Sequence, residues 1–250
     1  MHRLNQALTQ EFQATSITDI KLFKLNSSKA STFDDLLLSD SIDYYYSSAC
    51  TFIEAIDGLF KGCFSWATVR LYYSCFYAAR GILGTNSIGV FYNNKKPYSL
   101  EINQNESPNK ESGTTHEVVY KVINRKLNIP ELSQPIAGAT PTDWLKEKRE
   151  EANYKLSKLY DPNMPNHFNY TSSTKLCEAI NSYITDIENK TYVYSYDESH
   201  AAIAFPLLFL KTCKERLSAK GRTLSDPDIS YLSSINHELV PCLSDFLLTT

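Results

Sequence analysis

The chain has 250 residues, a formal net charge of −3 and 42% hydrophobic residues. This is enough apolar material for the core of one large domain, or for a core domain with an extension. Seventeen tyrosines against eight glycines favour a compact, mainly helical protein over a disordered one. The small negative charge argues against broad electrostatic binding to nucleic acid or anionic lipid, although a local basic patch is compatible with it.

No apolar run has the length of a membrane span, and the longest candidate, residues 201–210, contains Pro206. The amino terminus lacks the hydrophobic core of a signal peptide. Six cysteines form no C-x-x-C pair, and the five histidines show no metal-ligand spacing. The expectation is therefore a cytoplasmic protein that has no metal, no cofactor and no contact with a membrane.

The first half of the chain predicts two long helices joined by a short turn. Residues 1–38 are polar and mixed, with a loop expected at 27–32. A first helix is predicted to begin at Ser39 or Asp40 and to continue to residue 60, because its apolar residues have helical spacing. A second helix is predicted from Ser65, as a capping residue, to Gly84, as its end.

A β-hairpin follows, with strands at 88–92 and 97–102 and a turn at Asn93 and Asn94, which tolerate left-handed conformations. After it comes a polar loop at 103–113. The remaining predicted helices are 115–127, 144–159, 173–189, 205–219 and 225–248.

These elements predict a mainly α fold in three parts. The parts are an N-terminal segment (1–38), a helical bundle (39–190) with a hairpin insertion at about 86–102, and a C-terminal helical extension (191–250). The apolar faces of the last helices need something to pack against.

The second helix carries a regular line of large side chains. Trp66, Tyr73 and Arg80 recur every seven residues, and Arg70 and Tyr77 lie beside that line. We expect this face to be buried, so that Arg80 is a cation held among aromatic rings. A buried cation is usually paired or used for binding.

A second arginine is predicted to face inward on the helix at 144–159. Its apolar stripe is Leu145, Ala152, Leu156 and Leu159. Arg149 lies on that stripe, and Asn153 follows one helical turn later. The spacing predicts a hydrogen-bonded core network of Arg149 and Asn153, next to Tyr154.

Two segments together resemble the HEPN family (higher eukaryotes and prokaryotes nucleotide-binding). They are Tyr72-Tyr73-Ser-Cys-Phe76-Tyr77-Ala-Ala-Arg80 and Arg149-Glu-Glu-Ala152-Asn153-Tyr154, the latter followed by Asp161-Pro162. Asn153 stands where the family has an aspartate. The resemblance, which covers about residues 39–190, implies an up-and-down bundle of four or five helices. It also implies a dimer through the arginine-bearing helices and, in active members, a metal-independent endoribonuclease of toxin or antiviral systems.

The catalytic signature that this resemblance implies is incomplete. In the family, the arginine is followed a few residues later by a histidine, which transfers a proton while the arginine stabilises phosphate charge. After Arg80 the corresponding positions are Thr85, Asn86 and Ser87. Asn86 can donate a hydrogen bond to a phosphate but cannot carry the proton. The first hypothesis is therefore a non-catalytic adaptor of a prokaryotic multi-protein system, bound to a protein partner or to a second copy.

The alternative hypothesis is an endoribonuclease in which a displaced histidine serves Arg80. His116, at the start of a predicted helix, is the first candidate, and His167, in a proline-flanked loop, is the second. Either would supply the missing proton-transfer group if the fold brought it beside Arg80. RNA is a possible partner under this hypothesis. A nucleotide-sensing module is a third possibility, although the sequence has no phosphate-binding loop.

Overall fold

The computed structural model describes residues 2–14, 20–170, 172–236, 238 and 240–249. Within these ranges the protein is mainly helical, with one small antiparallel sheet, as the sequence predicts. The α-helices are α1 (Arg3–Ala14), α2 (Ser27–Phe60), α3 (Phe64–Thr85), α4 (Thr115–Lys126), α5 (Pro141–Glu150), α6 (Ser173–Glu188), α7 (Val193–Tyr196), α8 (Ala201–Ala219), α9 (Asp226–Ile235) and α10 (Pro241–Leu248). The strands are β1 (Ile88–Asn93), β2 (Lys96–Glu101) and β3 (Asn109–Lys110).

Helix α2 begins well before the predicted start, so the loop expected at 27–32 is wrong. Asn26 caps the helix, its side chain accepting a hydrogen bond of 2.9 Å from the Lys29 amide. The serine and threonine residues that follow read as a loop in sequence, but Thr32 bonds back to the carbonyl of Ser28. The helix therefore runs without a break across the predicted boundary between residues 38 and 39.

Helices α2 and α3 form a tightly packed antiparallel pair. Ser48 and Ser74 exchange hydroxyl–carbonyl hydrogen bonds of 2.7 and 3.0 Å at the centre of the contact. Gly84 does not end α3, which continues to Thr85. It lies instead at a close contact between the two helices. A Cβ atom there would fall 1.9 Å from Ser41 Oγ, so only glycine fits without a shift.

The predicted hairpin is confirmed by the antiparallel pairing of β1 with β2. Its two-residue turn is Asn94-Lys95, one residue later than expected, with both residues at positive φ. The polar segment after it is not wholly a loop, because β3 pairs with β2. Helix α1 packs Leu4, Leu8 and Phe12 into a second hydrophobic cluster shared with this sheet.

The helix predicted at 144–159 is shorter and irregular. Helix α5 begins at Pro141, is capped by Thr140, and passes into a π-helix at Glu151–Lys155. Leu145 and Ala152 are buried as expected, but Leu156 and Leu159 are 43% and 49% exposed because they lie beyond the helix. The predicted stripe is therefore correct only in its first half.

Helix α8 lies at the centre of the molecule. Every residue from 201 to 210 is buried, and the helix packs against α2 and α3. The helix predicted at 225–248 is two helices, α9 and α10, with Pro241 at the start of the second. The apolar face of α8 is thus covered by the bundle itself, which removes the reason for expecting a partner there.

Candidate functional site

The line of large side chains on α3 lies at the surface, so the expected burial of this face is wrong. Trp66 is 57% exposed, Arg70 is exposed, and Tyr73, Tyr77 and Arg80 are half-buried. Seven-residue spacing identifies one side of a helix, but both sides of α3 are rich in large apolar residues. We call these five residues the α3 face.

Arg80 is held by aromatic and backbone groups. Its guanidinium carbon lies 4.4 Å from the centre of the Tyr44 ring, a cation–π distance. Its Nη2 atom donates to the Val90 carbonyl over 3.4 Å. No ion pair joins it to a carboxylate within the ranges that the structure describes, unlike Arg70, which lies 3.6 Å from Glu54.

His2 is a residue of this site that the sequence analysis missed. Its Nε2 atom lies 3.4 Å from Nη1 of Arg80, and its Nδ1 atom lies 2.8 Å from the Tyr44 hydroxyl. Because a guanidinium only donates, Nε2 accepts and Nδ1 carries the proton. Burial, and then the charge of Arg80, lower the pKa of His2.

The position of His2 follows from the way α1 begins. The buried Asp40 carboxylate accepts hydrogen bonds from the backbone amides of Arg3 and Leu4 over 2.9 and 3.1 Å. It thus caps α1 from α2 and fixes the residue just before that helix. No local pattern signals a contact between residues 78 positions apart.

Arg149 lies on aromatic rings rather than in the predicted hydrogen-bonded network. Its guanidinium carbon is 5.3 Å from the Tyr72 ring centre, 6.0 Å from that of Tyr73 and 5.5 Å from that of Tyr154. Its Nε atom is buried without a hydrogen-bond partner among the described residues. Burial alone would lower the pKa of Arg149, but the hydroxyl groups of Tyr73, Tyr72 and Tyr154 together outweigh it and the pKa is raised.

Asn153 makes no hydrogen bond to Arg149 in the described part of the chain. It lies in the π-helix, where each residue turns through a smaller angle than in an α-helix. The one-turn spacing from Arg149 that the sequence suggests is therefore not kept.

His116 packs beside Arg80 and Arg149. Its ring centre is 4.1 Å from that of Phe76 and 5.2 Å from that of Tyr73. Phe76 also lies under Arg80, at 6.0 Å from its guanidinium carbon. Burial lowers the pKa of His116 to about 4, and the charges of Arg149, Arg80 and Lys146 contribute. We call Arg80, Arg149 and His116 the arginine cluster.

The first turn of α4 holds His116 in place. Thr114 and Glu117 form a capping box, in which each side chain accepts a hydrogen bond from the backbone amide of the other. Lys146 of α5 donates to Glu117 over 3.1 Å and ties the two helices together. The Nδ1 atom of His116 is buried without a hydrogen-bond partner among the residues described.

Asn86 and His167 lie apart from the arginine cluster. The Asn86 side-chain nitrogen donates to the Ile82 carbonyl, and its side-chain oxygen accepts from Arg216 of α8. Both polar groups of Asn86 thus bond at the C-terminal end of α3. His167 contacts Thr68, which is about 18 Å from Arg80 along α3 at 1.5 Å per residue. Of the predicted displaced histidines, His116 shares the Phe76 ring with Arg80, and His167 does not.

The beginning of α3 is surrounded by exposed apolar side chains. Ser65 accepts a hydrogen bond from the Tyr160 amide, and its own amide donates to Asp161, so the segment after α5 runs beside α3. Within the ranges described, eight large hydrophobic residues are exposed, and five of them belong to the first turn of α3 or to residues 154–164 of that segment. We call them the apolar patch: Trp66, Tyr154, Leu156, Leu159 and Met164.

Comparisons with protein-family models, with curated proteins and with solved structures each find no match. In the part of the chain that the structure describes, no helix has both the length and the apolar character needed to cross a membrane. The same residues contain no group of three or more His, Cys, Asp or Glu placed to hold a metal ion.

Proposed function

We propose that this chain is a non-catalytic, HEPN-like binding subunit that recognises a protein partner through the apolar patch and the α3 face. One observation carries the proposal: most of the large exposed hydrophobic side chains in the described ranges belong to the start of α3 or to the segment hydrogen-bonded to it, with Trp66 57% and Tyr154 73% exposed. Soluble proteins rarely expose contiguous apolar area without a use for it.

The residue types on this surface are those that dominate binding energy at protein interfaces. Tryptophan, tyrosine and arginine are enriched among interface residues whose removal costs most. Arg149 is already stacked on Tyr154 and Tyr73, so less side-chain entropy is lost when a partner covers it. The surface combines an apolar end at Trp66 with a cationic end at Arg80.

The state of His116 favours binding over catalysis. A general acid or base works best with a pKa close to the working pH. The pKa of His116 is lowered to about 4 because the ring is half-buried beside Arg149 and Arg80. At neutral pH the imidazole is thus uncharged, a poor proton acceptor and no proton donor.

The biological setting of the proposal comes from the sequence resemblance alone. It suggests a multi-protein prokaryotic system of antiviral defence or of the toxin–antitoxin type, acting in the cytoplasm. The partner is either another component of that system or a second copy of this chain, bound through the helices that carry Arg80.

Purification of the tagged chain from its native host tests the proposal. The wild type is compared with a Trp66→Ala/Tyr154→Ala variant, and with Tyr231→Ala, which removes an exposed tyrosine on α9. We expect one protein to co-purify at fixed stoichiometry with the wild type and the control, and at least tenfold less with the double variant. If the wild type self-associates instead, light scattering is expected to show a dimer that only the double variant loses. Equal retention by all three chains would refute the proposal.

The second candidate is a metal-independent endoribonuclease, favoured by the contact of His116 and Arg80 with the same ring, Phe76. Two arginines without carboxylate partners in the described ranges suit the binding of a phosphate. A phosphate bound there would offset the charges that lower the pKa of His116. The group would then titrate closer to neutral pH, where it is useful in catalysis.

Incubation with total RNA and a tRNA pool in EDTA distinguishes this candidate from the first. If the chain is a nuclease, the wild type cleaves RNA, and the Arg80→Ala and His116→Ala variants lose this activity. Arg222→Ala, which removes an exposed arginine paired with Asp35, serves as the matched control. The binding-subunit proposal predicts no cleavage by any of these chains.

A further inference from the structure

A cleft between α5 and the segment that follows it contains none of the α3-face residues in its lining. It has a volume of about 620 Å³, within the range typical of small-molecule sites. Trp144, Lys148 and Glu151 line it from α5 and the π-helix, on another side from Arg149. The remaining lining residues are Tyr160, Pro165, Asn166, His167, Glu198 and Ser199.

One ring nitrogen of His167 has no hydrogen-bond partner among the described residues. The Thr68 hydroxyl donates its only proton to the Phe64 carbonyl over 2.9 Å. We assign its 2.9 Å contact with His167 Nε2 as one in which the hydroxyl accepts, so that Nε2 carries the imidazole proton. The Nδ1 atom is then an acceptor, and no described residue donates to it, although His167 is only 6% exposed.

Lys148 lines the same cleft and supplies a hydrogen-bond donor there. Its ammonium group lies 3.5 Å from Glu151 and has no hydrogen bond among the described residues, and the Lys148 side chain is 23% exposed. The positive charge of Lys148 acts on His167, whose pKa is lowered to about 3, mainly by burial. His167 is therefore neutral, and its lone pair and the Lys148 donors are both available to a ligand.

The charged residues that line the cleft limit the chemical class of ligand that can bind there. One ammonium and two carboxylates leave a net charge of −1 on the lining, which disfavours polyanions such as an RNA backbone. A cation at His167 would be repelled by Lys148. A hydroxyl group fits both constraints, because its oxygen accepts from Lys148 while its hydrogen is donated to His167. Glu198 and Asn166 can accept from further hydroxyl groups.

From this geometry we propose that the His167 cleft binds a neutral, polyhydroxylated small molecule, a sugar or polyol. The hydroxyl nearest His167 is bound by both the imidazole and the Lys148 ammonium. The ring of Tyr160, whose hydroxyl donates to Glu151 over 3.3 Å, forms one wall against which the ligand packs.

Titration of the full chain with glucose and ribose, followed by NMR of its histidine side chains, tests this site. Putrescine and acetate serve as the cationic and anionic probes. We expect one of the sugars to shift the His167 resonances at millimolar concentrations, and neither ion to do so. Lys148→Met is expected to weaken sugar binding about tenfold, as loss of a charged hydrogen bond does.

Lys146→Met is the matched control, because it changes a lysine on the same helix that pairs with Glu117 and Glu150 instead. It is expected to leave sugar binding unchanged. The proposal is overturned if neither sugar perturbs His167, if putrescine or acetate binds better, or if Lys148→Met binds sugar as the wild type does.

Discussion

Single residues in this protein owe their chemical state to their neighbours. Arg70 and Arg80 are ten positions apart on the same side of α3, yet Arg70 pairs with a carboxylate and Arg80 lies on the Tyr44 ring. Arg149 likewise contacts aromatic rings. These rings provide a favourable surface for a cation without neutralising it, so the arginines keep their charge.

Most of these residues could be identified from the sequence, but the groups that contact them could not. The sequence identified Arg80, Arg149, Tyr73 and Tyr77 by their type and spacing, and named His116 as a conditional neighbour of Arg80. It could not identify His2, because that contact depends on how Asp40 caps a helix many residues away. Long-range contacts of this kind have no signal in local periodicity.

The buried His167 predicts a loss of stability in acid. The pKa of His167 is about 3 in the folded chain, below the ordinary value of 6.5 for an exposed histidine. Between these values the unfolded chain binds a proton that the folded chain does not, so stability falls as the pH is lowered. In this range His167 lowers the free energy of unfolding by about 1.4 kcal/mol for each pH unit of acidification.

Chemical denaturation at a series of pH values measures this effect. His167→Gln, which keeps a side-chain donor for Thr68, is expected to reduce the slope between about pH 6 and 4 to the part that other groups such as His116 contribute. Comparison at neutral pH corrects for any destabilisation caused by the substitution itself. A variant with the same slope as the wild type would show that His167 titrates normally in the folded protein.

At the level of elements, the close approach of α2 and α3 depends on particular glycines. A Cβ atom at Gly84 would lie 1.9 Å from Ser41 Oγ and 3.3 Å from the Leu37 carbonyl oxygen. We expect Gly84→Ala to destabilise the protein by about 1–3 kcal/mol or more, because the helices must separate. Thermal or denaturant unfolding measures the change.

Gly58→Ala is the control within the same helix pair. The nearest atoms to a Cβ atom there are 3.8 Å away, which is ordinary contact distance. The substitution is expected to be neutral or to stabilise by up to about 1 kcal/mol, since alanine loses less backbone entropy in a helix. Ser41→Ala should partly rescue Gly84→Ala. Equal effects of the two glycine substitutions would contradict the close packing at Gly84.

Helices and strands with a clear periodicity of apolar residues were predicted well. Those with polar or irregular sequences were not. Helix α3 and the hairpin lie within one or two residues of their predicted bounds, because apolar periodicity and turn residues agree there. The start of α2 was missed because its polar first turns resemble a loop. The π-helix after α5 was missed because nothing in its sequence departs from an α-helical pattern.

At the scale of the whole molecule, the C-terminal residues belong to the core. Helix α8 is buried against α2 and α3, and the Tyr45 hydroxyl donates to the Leu247 carbonyl over 2.6 Å. We expect a chain truncated after residue 190 to lose cooperative unfolding, because it exposes the apolar surface that α8 covers. Circular dichroism during denaturation measures this.

A chain truncated after residue 222, which keeps α8 but not α9 and α10, is the control. It should unfold cooperatively at a lower denaturant concentration than the full chain. Native-like cooperative unfolding of the shorter chain, residues 1–190, would mean that the bundle folds without α8.

Photo-cross-linking in the native host tests the proposed binding surface most directly. A benzophenone side chain replaces Trp66, Tyr154 or, as the control, Tyr231 in separate full-length chains. We predict that positions 66 and 154 cross-link to the same protein, and that position 231 does not. Cross-linking to unrelated proteins, or to none, at positions 66 and 154 would contradict the account of this surface as a specific docking site.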